Sequence, residues 1–100
     1  MDKIKIHYKT EKDEYFKHHD IYAQYYIELN FESKQVRWCF YLPLPEGMHW
    51  KAGDQMGGLG ADHHTKTQSF FEFMHKPHLD IPKQEFDEAL NYIHNSTKPN

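Results

Sequence analysis

The sequence predicts an α+β fold: an antiparallel sheet of about four strands (3–9, 21–32, 36–42 and 66–74) with a C-terminal helix (82–95) packed on one face. Three observations carry that expectation. Two facing runs, from Ile21 to Phe31 and from Val36 to Leu42, alternate apolar and polar residues with period two. A stripe at helical spacing follows Asp80-Ile81-Pro82. Hydrophobic content of 38% and aromatic content of 16% give one hundred residues enough apolar surface for a core, which argues against disorder.

The first strand is read from Lys3 to Lys9. Ile4, Ile6 and Tyr8 share one face, and Lys5, His7 and Lys9 the other. Thr10 to Asp20 is polar and charged, a connection with room for one helical turn around Tyr15 and Phe16. The second strand places Ile21, Ala23, Tyr25, Ile27, Leu29 and Phe31 on one side. The third places Val36, Trp38, Phe40 and Leu42 on the same side. Pairing Phe31 with Val36 brings Leu29 to Trp38, Ile27 to Phe40 and Tyr25 to Leu42, so each apolar residue meets another. Glu32-Ser33-Lys34-Gln35 lacks the Asn-Gly or Asp-Gly signal, which favours a four-residue loop over a two-residue primed turn. Pro43 and Pro45 end the ladder.

Residues 45–64 form a long loop that holds all five glycines, at 47, 53, 57, 58 and 60. Gly57-Gly58-Leu59-Gly60 lacks the lysine and hydroxyl residue of a phosphate loop and the βαβ setting of a dinucleotide fingerprint. Residues 65–74 read as a strand with Thr67, Ser69, Phe71 and Phe73 on one face, because Thr and Phe favour strands. The alternative helix would align Phe70, Phe73 and Met74. Pro82 in a first turn, Glu85 near the positive end and the stripe Phe86, Ala89, Leu90, Ile93 define the last helix. Residues 97–100 read as a frayed tail, and the whole chain as one domain.

The net charge of −3 disfavours direct binding to nucleic acid and suits a basic protein partner. Cys39 is the sole cysteine, which removes any disulfide framework and points to a reducing cytoplasm. No apolar run is long enough to span a membrane.

The predicted second face of the hairpin carries Tyr22, Tyr26 and Tyr41 with Gln24, Glu28, Asn30 and Arg37 between them, Tyr26 falling opposite Tyr41. Tyr and Arg are the residues that anchor interfaces. With Glu46, Trp50 and Asp54 of the adjacent loop, Tyr22, Tyr26, Glu28, Arg37 and Tyr41 form the candidate binding set. The expected function is a small protein-binding module, an inhibitor or immunity-type protein that neutralises a basic partner, with no catalysis and no cofactor. In size and charge the chain resembles the small acidic immunity proteins that bacteria make against nuclease toxins. That resemblance is one of size and character and rests on no motif. The alternative is a His-dependent metal protein or hydrolase. It would use His49, His63 and His64 as acid and base, or His49, Asp62, His63 and His64 as metal ligands. Against it, adjacent histidines on a strand point to opposite faces, and no His-Glu-x-x-His or paired Cys-x-x-Cys spacing occurs. Cys39 shares the hairpin face with Arg37 and Tyr41 and reads as an inert strand residue.

Overall fold

A computed structural model describes residues 2–9, 15–16, 21–44, 60 and 62–97. Its elements are β1 (Lys3–Tyr8), β2 (Tyr15–Phe16), β3 (Ile21–Tyr22), β4 (Gln24–Asn30), β5 (Gln35–Tyr41), β6 (Asp62–Ser69), α1 (Phe70–His75) and α2 (Lys83–Thr97). Strands β1, β4, β5 and β6 make one antiparallel sheet in the order β1-β4-β5-β6, and β2 pairs with β3. This is the α+β arrangement that the alternation and the helical stripe predict.

The core lies on one face of the sheet. Ile6, Tyr8, Ile27, Leu29, Val36 and Trp38 project from the strands and meet Phe70 and Phe73 of α1 and Ala89 and Ile93 of α2. Trp38 is 1% exposed and central. Tyr8 meets its ring edge-on at 6.1 Å, Phe73 lies at 5.8 Å and His78 at 5.9 Å. Its indole N–H donates to Gln68 Oε1 at 2.9 Å, so the one polar atom of the ring is satisfied inside the core. Burial, then the neighbouring Tyr25 and Cys39, push the Tyr8 phenol up to about 12. At the far end of the same face, Tyr8, Tyr25, Phe40 and His63 form a row of rings across all four strands.

The hairpin differs from its predicted register by two residues. Leu29 pairs with Val36, Ile27 with Trp38 and Tyr25 with Phe40. The cause is local. Asn30 Oδ1 accepts from the backbone N–H of Glu32 and of Ser33, which starts the turn at Phe31 rather than Glu32. Lys34 closes it in the left-handed region at φ 57°. A two-residue shift keeps every side chain on its face, so the apolar pairing survives. Phe31 leaves the ladder and packs edge-on against Phe70 at 5.6 Å.

Three further expectations are corrected. The strand read over 21–32 is broken at Ala23, and its first two residues pair with Tyr15 and Phe16, which are extended rather than helical. Asp62, His63 and His64 belong to β6, not to the loop. The strand read over 66–74 ends at Ser69, and Phe70–His75 is the helical alternative. Ser69 caps it: its Oγ accepts from the Glu72 N–H at 3.0 Å and donates to Glu72 Oε1 at 3.2 Å. Helical phase sends Phe70 and Phe73 into the core, which outweighs the strand preference of the phenylalanines.

Gly60 returns the chain to the sheet. Its N–H bonds the Leu42 carbonyl, and its φ of 80° lies in the region that glycine tolerates best.

Candidate functional site

The opposite sheet face is polar, and neither described helix packs on it. Its composition follows from register alone. Lys5, Glu28, Arg37 and Thr67 stand side by side across the four strands. The next row is His7, Tyr26, Cys39 and His64. Beyond it, Gln24, Tyr41 and Asp62 align. The first row alternates in sign, placing half-buried Glu28 between exposed Lys5 and exposed Arg37.

A bulge sets which β6 residues join this face. Lys66 faces Trp38 while His64 faces Cys39, so Thr65 is the extra residue. The Thr65 hydroxyl donates to the Trp38 carbonyl at 3.1 Å. The bulge inverts the alternation, which puts His64 and Thr67 on the polar face together, His64 Nε2 lying 2.8 Å from Thr67 Oγ1.

Tyr26 sits at the centre and is only 4% exposed. Lys5 Nζ lies 4.8 Å from its ring centroid, and the His7 ring packs against it at 5.4 Å. Cys39 and Asp62 are the polar neighbours that act on its hydroxyl. Burial first, then those neighbours, hold the phenol far above its ordinary value, so Tyr26 stays protonated as a donor. Cys39 is also 4% exposed. Burial is the largest effect on its thiol and pushes it up; the Tyr26 bond and the Arg37 charge only partly oppose this. Cys39 is therefore a poor nucleophile. Iodoacetamide at neutral pH is expected to label it about a hundredfold more slowly in the folded protein than in denaturant. Comparable rates in the two states would contradict its burial.

The candidate set divides as follows. Tyr26, Glu28, Arg37 and Tyr41 share this face, but Tyr26 stands opposite Cys39 rather than Tyr41 and is a buried organiser, not an exposed anchor. Tyr22 is 57% exposed and belongs to the β2–β3 pair. Glu46, His49, Trp50 and Asp54 lie outside the described residues. Asp62 and His64 of the alternative catalytic and metal sets reach the polar face, whereas His63 is on the core face, stacked on Phe40 at 4.7 Å and 13°. Among the described residues no group of three His, Cys, Asp or Glu is placed to hold a metal ion. Lys5, His7 and Thr67 are the additions. The β1 alternation marks Lys5 and His7 as polar-face residues, and only the strand order brings them beside Glu28 and Tyr26.

The fold and face define an α+β protein with a two-sided sheet, helices on one side and fixed polar groups on the other. No family model, curated protein or solved structure matches the chain. Among the described residues no helix is long and apolar enough to cross a membrane.

Proposed function

We propose that this chain is a protein-binding module of the inhibitor or immunity type, working in the cytoplasm, which neutralises a basic protein partner by covering it with the polar sheet face. The observation that supports the reading is the set of fixed polar groups on this face, where the Glu28 and Asp62 carboxylates are available to a basic partner and Arg37 and Tyr41 stand beside them. Exposed charge and a half-buried tyrosine there stand on strands that cannot reorient, so little ordering entropy opposes binding. Arg37 and Tyr41 are anchors by residue type, and the net charge of −3 steers a basic partner toward the chain. A nuclease toxin is a partner of that kind, since its substrate demands a basic surface.

Purification of the untagged protein from its native cell is the test. A stoichiometric basic partner, released as salt rises, is the expected result. Recovery of the protein alone in repeated low-salt preparations would overturn the reading.

A further inference from the structure

A cleft of about 500 Å³ opens on the other side of the sheet, where edge strand β6 meets α1 and the turn after it. Its volume is that of a small-molecule site. Lys66 enters it from β6, Phe71 and His75 from α1, and Lys76 and His78 from the turn. Gln68 fixes the two sides to each other: its Nε2 donates to the Lys76 carbonyl at 2.9 Å, and its Oε1 accepts from the His78 N–H at 3.0 Å. The walls are thus held before any ligand arrives.

Two features give the cleft a chemistry. The first is charge. Lys66 and Lys76 face one carboxylate, that of Glu72, which already accepts from the Ser69 hydroxyl. Among the described residues neither lysine ammonium has an ion-pair partner; the ion pair found there is Lys83–Asp87 on α2. A locally cationic cleft in a chain of net charge −3 calls for an anion. The second is an exposed ring. Phe71 is 66% exposed, and His75 packs against it at 4.2 Å. His75 Nδ1 donates to the Phe71 carbonyl at 2.9 Å, which holds the imidazole in place and leaves Nε2 for a ligand. An exposed ring lining the same cleft as two lysines matches a base attached to phosphate.

We infer that this cleft binds a nucleoside phosphate, its base stacked on Phe71 and its phosphates between Lys66 and Lys76. The site lies on the sheet face opposite the polar one and does not depend on the protein-binding reading.

Calorimetric titration with ADP, adenosine and pyrophosphate tests it. Trp38 supplies a second signal, because His78 touches its ring and Gln68 holds its N–H; Trp50→Phe makes Trp38 the sole tryptophan. ADP is expected to bind saturably below about 1 mM and to change Trp38 fluorescence. Phe71→Ala should weaken ADP and adenosine at least about fivefold and leave pyrophosphate unchanged. Lys66→Ala and Lys76→Ala should weaken ADP and pyrophosphate and leave adenosine unchanged. The proposal is overturned if neither signal appears with ADP up to about 5 mM, or if ADP binding ignores Phe71→Ala. Tighter binding of hexaglutamate than of ADP would also overturn it, by making the lysines a dock for an acidic chain.

Discussion

Trp38→Ala is expected to cost about 3–5 kcal/mol. Trp38 is the hub where sheet and helices meet: Tyr8 from β1, Phe73 from α1 and His78 after it all contact the indole. At 1% exposure nothing can relax into the space without moving one of those elements. The truncation also strands Gln68 Oε1 on one side. A domain of this size has only about 5–15 kcal/mol in total, so the variant should populate unfolded chain at ordinary temperature. Urea unfolding followed by circular dichroism checks this. A loss below about 1 kcal/mol would show that Trp38 is not the hub.

Gln68→Leu is expected to cost about 2–4 kcal/mol although it adds apolar bulk. Gln68 is 5% exposed and is the one described polar side chain buried in the core. Its carbonyl oxygen accepts from both the Trp38 indole and the His78 backbone, so one substitution orphans two donors. The Lys76 carbonyl loses its donor as well. Gln68→Glu separates packing from bonding: it keeps both accepted bonds but introduces a buried charge and loses the bond to Lys76. The leucine variant matching the wild type in urea midpoint would mean that water replaces these bonds.

How much of this was legible in the residues depended on the range of the interaction that decides each feature. The alternation of Ile4, Ile6 and Tyr8, and of Val36, Trp38 and Phe40, identified strands and faces, because side-chain phase is a property of one strand. Register was not so fixed. Apolar pairing is satisfied equally by two registers two residues apart, and the Asn30 side chain selects between them. Thr and Phe propensity predicts strand through residues 70–74, whereas Ser69 and Glu72 carry the capping-box spacing that announces the helix found there. The polar face was half legible. Glu28, Arg37 and Tyr41 followed from the hairpin, but Lys5, His7, Asp62 and His64 join it only through strand order and through the bulge at Thr65. Tyr26 looked like a surface anchor because its strand position is outward. It is buried, and Lys5 and His7, on a strand distant in sequence, pack against its ring. The cleft was less legible still, since Lys66 and Gln68 are assigned to the core face only by the pairing of β6 with β5, which places them opposite Trp38 and Val36.

The most direct test of the proposed function compares partner affinity for two single variants on opposite sides of the molecule. Arg37→Ala removes an exposed anchor from the polar face, and Tyr92→Ala removes a 38% exposed ring from α2. With the co-purified partner, Arg37→Ala is expected to weaken binding at least about tenfold while Tyr92→Ala stays within about twofold. The reverse pattern, binding lost with Tyr92→Ala and kept with Arg37→Ala, would contradict the polar sheet face as the binding surface.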